Sequence, residues 1–351
     1  MSSRQVRPLA ELPEHSQLLC ERLGLGAIVG EPERVTGGFH HLMWALQTDT
    51  GRYAVKQLGP DTDALAVATV SHYNVTEAIA EAFAGEGVTA VHALRHREKY
   101  LQVIGGEGYL VYPWTDAVAL DRKNLSATHA LKVADLLARI HRADVRVSGV
   151  QCAPLASHAQ EKILLLVDRA IAAHARGCEE LERHLPEWLD IAARQQQARQ
   201  ALAQHRVISH GDMDQKNILW DADGEPVLID WESAGLFNPT HDTLVVALDW
   251  SGITSAFEQA LFDAFIAAYC DAGGEIDNAI VPLAFDRILG NWLDWLMFNV
   301  GRSLDLNDLE QRTLGEAQVD LALATLLRLQ RFAPKLVLGI RGQSSAACGD
   351  V

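Results

Sequence analysis

Cysteine is scarce in this chain. Cys20, Cys152, Cys178, Cys270 and Cys348 stand far apart, none belongs to a CxxC unit, and their number is odd. That pattern excludes a zinc ribbon or a disulfide framework and points to a reducing compartment. Long apolar runs are missing too: none reaches the roughly 18 residues that a membrane helix needs. The first residues, MSSRQVRPLAELPEH, lack the apolar core of a signal peptide, so the expected location is cytoplasmic. Basic residues are outnumbered, 30 Lys and Arg against 46 Asp and Glu, which gives a formal net charge of -16. Nucleic-acid binders show a basic face and anionic membranes attract one, so neither is an expected partner. A cationic small molecule would instead be drawn inward by such a field.

What is present is enough chain for two lobes, since 351 residues exceed what one core usually holds. Residues 1–29 read as an N-terminal extension, with an amphipathic helix over 14–24. Residues 30–114 read as a small lobe of antiparallel strands with one helix. In it Leu42, Trp44 and Leu46 alternate with other residues, Asp49-Thr50-Gly51 is a turn, and Tyr53-Ala54-Val55 resumes a strand. Helical spacing over 72–84 ends at Gly85, and strands follow at 99–104 and 108–114. Residues 115–337 read as a mostly helical lobe, with helices over 127–142, within 158–205, and over 255–272, 282–302 and 315–333. Residues 338–351 read as a disordered tail. The fold class is α+β.

One stretch, VISHGDMDQKNILWDADGEPVLIDWESAG over 207–235, interrupts the helices. Its segments 218–220 and 227–229 read as strands joined by a turn over 221–226. Such a hairpin sets Asn217 beside Asp230, and Asp212 lies on the loop leading to the same end. Taken singly, Asp and Asn are most often turn formers. Three oxygen-bearing side chains at this spacing suit a hard cation that shares its shell with phosphate oxygens. Phosphoryl transfer needs the metal to neutralise developing charge and one carboxylate to orient the attacking hydroxyl, and this loop supplies both.

His210-Gly211-Asp212 with Asn217 five residues later, followed by Ile229-Asp230-Trp231-Glu232, resembles the aminoglycoside phosphotransferase/choline kinase family, relatives of the protein kinases. The resemblance implies a protein-kinase-like fold with ATP in the cleft, Asp212 as the catalytic base-like residue, and Asn217 and Asp230 as magnesium ligands. It makes Lys56, in Ala54-Val55-Lys56, the grip on the ATP phosphates. Glu77 is its expected partner, with Glu81, one turn on, as the alternative. Gly37-Gly38 would cover the phosphates, and Tyr109 to Trp114 would be the hinge, where Val111 and Tyr112 offer backbone groups to adenine. His40 and His41 read as loop histidines, His141 as a core histidine, and Asp242 as a brace for the segment carrying Asp230.

The implied activity is ATP- and Mg2+-dependent transfer of the γ-phosphoryl group to a hydroxyl of a small molecule. An aminoglycoside-like antibiotic or another amine-bearing or sugar-like metabolite fits that description, and no nucleic acid or membrane is involved. Acids near the inferred acceptor side, Asp214, Glu232, Asp286 and Asp294, favour a cationic acceptor. Residues 158–205 and 282–302 are its expected binding helices, with Trp292, Trp295 and Asn299 on one face. A protein kinase is disfavoured because no Ala-Pro-Glu motif or activation-loop insertion follows Asp230. A nucleotide-binding pseudokinase is disfavoured because Lys56, Asp212, Asn217 and Asp230 are all retained.

Overall fold

The computed structural model describes residues 12–35, 41–150, 159–305 and 308–347, with side chains through 342. In chain order the elements are α1 (Leu12–Leu23), β1 (Glu33–Val35), β2 (Leu42–Gln47), β3 (Arg52–Gln57), α2 (Val67–Gly85), β4 (Gln102–Ile104), β5 (Glu107–Pro113) and β6 (Val118–Ala119). Then come α3 (Ala127–Arg142), α4 (Gln160–Ala172), α5 (Cys178–Arg183), α6 (Leu185–Leu202), β7 (Val207–Ser209), β8 (Ile218–Trp220), β9 (Pro226–Leu228), β10 (Gly235–Phe237), α7 (Pro239–Trp250), α8 (Gln259–Asp271), α9 (Val281–Ser303) and α10 (Leu309–Ala347). The antiparallel sheet followed by helices is the expected α+β, kinase-like plan. Among the described residues no helix is long and apolar enough to cross a membrane.

The chain divides into two compact units. The first contains the described residues of Met1–Asn124, Ala143–Gln151 and His210–Gly235. Its five-stranded sheet has the order β1-β2-β3-β5-β4, antiparallel throughout. The β2–β3 turn is closed by Thr48, whose hydroxyl accepts the N–H groups of Thr50 and Gly51, each at 3.2 Å. Side chains alternate across a strand, and β5 shows what this does. Tyr109 and Val111 enter the core with Leu12, Leu19 and Leu46. Leu110 and Tyr112 face the opposite way, toward Leu58, Tyr73 and Tyr100. On β3 the same alternation puts Val55 in the first core and Lys56, opposite Leu110 in register, on the second face.

Segment 210–235 belongs with this sheet unit, although the sequence places it in the helical lobe beyond residue 114. Backbone hydrogen bonds give the reason: Val91 N–H donates to the Leu228 carbonyl at 2.9 Å and Leu228 N–H to the Thr89 carbonyl at 2.8 Å. Strand β8 also pairs with β6.

The second unit contains the described residues of Leu125–Arg142, Cys152–Ser209 and Leu236–Val351. Helix α9 packs against α6, α7 and α10. Helix α7 had no counterpart in the sequence reading. Asn238 caps it, accepting the His241 N–H at 3.1 Å, and Pro239 occupies its first turn. Helix α10 continues to Ala347, so 338–347 is helical where the sequence predicts a tail; 348–351 lie outside the described residues. Asp242 is 5% exposed and braces a different point from the one expected. It takes the Ser209 hydroxyl at 2.6 Å and His141 Nε2 at 3.0 Å, while His141 Nδ1 meets the Tyr269 hydroxyl at 2.8 Å.

Candidate active site

Gly211 lies between His210 and Asp212 at φ +77°, a left-handed conformation that glycine adopts without a Cβ penalty. His210 Nδ1 accepts the Asp212 N–H at 3.3 Å, so the neutral ring carries its proton on Nε2 and can donate it to the Ile229 carbonyl at 3.0 Å. The ring also lies 4.6 Å from that of Trp231. One imidazole thus ties the loop bearing Asp212 to the backbone that leads into Asp230.

Asn217 donates from Nδ2 to the Asp212 carbonyl at 2.9 Å and to Asp212 Oδ2 at 2.8 Å. Both partners are acceptors, so only the amide NH2 can face them, and Oδ1 is turned elsewhere. Ile229 N–H donates to the Asn217 carbonyl at 3.0 Å, which sets Asp230 next to Asn217 on paired backbone. Asp230 is left-handed, at φ 62° and ψ 62°. Asp tolerates that region better than most residues, and such strain concentrates at functional sites. The hairpin therefore joins Asp212, Asn217 and Asp230 as the spacing predicts. An amide oxygen and a carboxylate are donor types that fit Mg2+, which takes one or two protein carboxylates and fills its shell with phosphate oxygens and water.

Lys56 Nζ binds Asp230 Oδ1 at 2.7 Å and Glu232 Oε2 at 2.8 Å. Burial opposes its charge, but Asp230 and Glu232 outweigh that and hold its pKa above the ordinary value. Sequence reasoning gave Lys56 to Glu77, and the structure gives it other partners. Glu77 has other partners: its carboxylate accepts the Tyr112 hydroxyl and the Ala93 N–H, each at 2.7 Å. Glu81, the alternative, takes the Tyr100 hydroxyl at 2.5 Å and lies 3.7 Å from Arg95.

Glu232 was not read as a partner of Lys56. Its pKa is held down to about 2, first by the hydrogen bond from His41 and then, against burial, by Lys56. The Lys56 contact is the shorter one, 2.8 Å against 3.4 Å for His41, and we take it as the principal partner. His41 Nδ1 accepts the Gly59 N–H at 3.1 Å, which leaves Nε2 to face Glu232. The signal for Glu232 in the sequence was its place two residues after Asp230, on the turn that returns toward Lys56.

Val111 and Tyr112 lie inside β5. The Val111 carbonyl accepts the Leu94 N–H at 2.7 Å, and the Tyr112 side chain is committed to Glu77. Gly37, Gly38 and His40 lie outside the described residues. Trp295 is exposed and stacks on Phe298 at 5.5 Å, whereas Asn299 is buried, so those two residues do not present a common surface.

Burial raises the Glu77 pKa from 4.5 to about 7, against the Tyr112 and Ala93 hydrogen bonds. Between those values the folded chain keeps a proton that the unfolded chain has released, so stability falls as pH rises through this window. Glu77→Gln removes the titration. Denaturant unfolding at several pH values should show the wild type losing more stability than the variant between pH 5 and about 7. Equal slopes would exclude a titrating Glu77.

A family model described as the phosphotransferase enzyme family matches residues 31–279. No curated protein matches the chain. Among solved structures, a spectinomycin phosphotransferase in complex with ADP and spectinomycin aligns with a TM-score of 0.64 at 13% identity, over 92% of this chain and 99% of that one. A choline kinase from Streptococcus pneumoniae aligns with a TM-score of 0.55 at 19% identity, over 89% and 99%. An aminoglycoside phosphotransferase from Alicyclobacillus acidocaldarius aligns with a TM-score of 0.57 at 16% identity, over 95% and 99%. These likenesses establish the kinase-like fold. With more than half its length matched by the family model and Asp212, Asn217, Asp230 and Lys56 gathered in one unit, the chain belongs to the phosphotransferase enzyme family.

Proposed function

We propose that this enzyme uses ATP as donor and Mg2+ as cofactor to phosphorylate a hydroxyl of a small molecule. The observation that carries the proposal is the Asp212–Asn217–Asp230 arrangement, whose three side chains divide the tasks of the reaction. Asp212 accepts the hydrogen bond of the attacking hydroxyl and so aims its oxygen. Asn217 is locked to Asp212 through its amide nitrogen, and its Oδ1 and the Asp230 carboxylate would hold the cation. When bound, Mg2+ supplies positive charge that neutralises the phosphoryl oxygens. Lys56 carries its positive charge against Asp230 and Glu232 and is the group suited to hold ATP phosphates. Catalysis of this kind rests on positioning and electrostatics rather than covalent chemistry.

The balance of 46 acidic against 30 basic residues would steer an amine-bearing acceptor inward, with an on-rate that falls as salt rises. A panel of amino alcohols, aminoglycosides, macrolides and neutral sugars, assayed for acceptor-dependent ADP release, tests the proposal. Release stimulated by one class and dependent on Mg2+ is the expected result. ADP release that no acceptor stimulates, or that proceeds equally in excess EDTA, contradicts it.

A further inference from the structure

Three segments of the first unit converge on one imidazole, that of His41, which stands just before β2. Its Nδ1 accepts the N–H of Gly59, beyond the end of β3, at 3.1 Å. Its Nε2 lies 3.0 Å from the Tyr73 hydroxyl on α2 and 3.4 Å from Glu232 Oε2. A ring nitrogen that accepts an N–H carries no proton of its own, so the neutral ring holds its proton on Nε2. The backbone at Gly59 thus sets the tautomer that makes His41 a donor toward Glu232. The same Glu232 oxygen receives Lys56 Nζ at 2.8 Å. The His41 and Lys56 side chains are 10% and 9% exposed, so water competes little for either.

Helix α2 does not reach Lys56 through Glu77, whose carboxylate accepts Tyr112 and the Ala93 N–H. Tyr73 stands four residues before Glu77, on the same face of the helix, and both are buried. From Tyr73 the contacts run through His41 and Glu232 to Lys56, which links α2 to the lysine by another route. Glu232 is a long side chain on a three-residue turn, and a second donor on its carboxylate restricts the rotamers left to it. Asp230, the other carboxylate on Lys56, is a candidate cation ligand. Glu232 is therefore the acid that can stay on Lys56 throughout.

We propose that His41 is a positioning residue for Lys56: through its Nε2 proton it fixes the Glu232 carboxylate, and so the ammonium, where ATP phosphates are to be gripped. Tyr73 ties this arrangement to α2. The inference rests on the reading of Lys56 as the phosphate grip.

Calorimetric titration of variants with ATP and, separately, with adenosine tests it. His41→Asn keeps an acceptor near the Nδ1 position for Gly59 but falls short of Glu232. His41→Gln places an amide NH2 near the Nε2 position and can reach it. His41→Asn is expected to raise the ATP Kd about tenfold and His41→Gln about threefold or less. Adenosine affinity should not change, because it carries no phosphate for Lys56 to hold. In a Lys56→Ala background His41→Asn should add less than about twofold, since an effect carried by the lysine disappears with it. If Lys56→Ala does not fold, the ranking of the two His41 variants decides alone. If they do not fold, Tyr73→Phe, which takes one hydroxyl from Nε2, should raise the ATP Kd about threefold and spare adenosine. Equal losses for ATP and adenosine, Gln as damaging as Asn, an additive loss on Lys56→Ala, or unchanged ATP binding in the variant that folds would overturn the proposal. Lys56→Ala that binds ATP like the wild type would overturn the reading of Lys56 itself. Weakened ATP binding in Lys56→Ala beside wild-type binding in His41→Asn would overturn the role of His41 alone.

Discussion

Asp212→Ala is expected to lower turnover by about a hundredfold or more, the range for a positioned acid–base group, while leaving nucleotide affinity largely intact. Asp212 sits on the loop that Gly211 turns and His210 ties down, and no element depends on it for packing. Its carboxylate receives Asn217 Nδ2 at 2.8 Å and lies 3.3 Å from Lys216 Nζ. Alanine removes one of the two bonds that orient Asn217, but the bond from Nδ2 to the Asp212 carbonyl, at 2.9 Å, survives because it is made by backbone. The metal-facing oxygen should therefore keep its direction while the acceptor hydroxyl loses its partner. Single-turnover kinetics separates the two effects. Transfer at the wild-type rate would remove Asp212 from the mechanism, and lost nucleotide binding would mean that the carboxylate supports the metal instead.

Asp230 is expected to show the opposite division. Asp230→Ala should abolish Mg2+-dependent nucleotide binding, since a site with so few protein ligands cannot spare its charged one. Alanine also fits the left-handed φ of 62° less well than Asp does. Asp230→Asn, which tolerates that backbone and keeps the size, is the cleaner variant and should lose most of the same affinity. Both variants free Lys56 from one of its two carboxylates but leave Glu232 on it. Asn217→Ala should do less, because a neutral amide compensates less charge. Calorimetric titration with ATP in the presence and absence of Mg2+ reads all three. Wild-type affinity for the magnesium nucleotide in both Asp230 variants would contradict the metal assignment.

The parts of this site that were legible in the sequence are those set by short-range geometry. Asn217 and Asp230 meet because a hairpin of fixed length joins them, and Lys56 faces the second side of the sheet because side chains alternate along β3. Helix α3 was legible end to end from its apolar stripe. The start of α2 at Val67 was not, since Ala66 caps it with no side-chain hydrogen bond and leaves no marker. Helix α7 did carry a signal in the sequence, Asn238 as cap before Pro239. Partner choice among buried charges was the least legible feature. Glu77 and Glu232 are both acids within reach of one lysine. Glu77 accepts Tyr112 and the Ala93 N–H, and a three-residue turn, Trp231–Ser233, carries Glu232 onto Lys56. Neither fact is local in sequence.

The most direct test of the account follows the phosphoryl group itself. ATP labelled in its γ-phosphate would be incubated with Mg2+, the enzyme and whichever acceptor stimulates ADP release, and the products separated. The account predicts label in a phosphate ester on an acceptor hydroxyl, formed by the wild type and reduced about a hundredfold or more by Asp212→Ala. Label found only in inorganic phosphate, or an ester formed equally by Asp212→Ala, would contradict it.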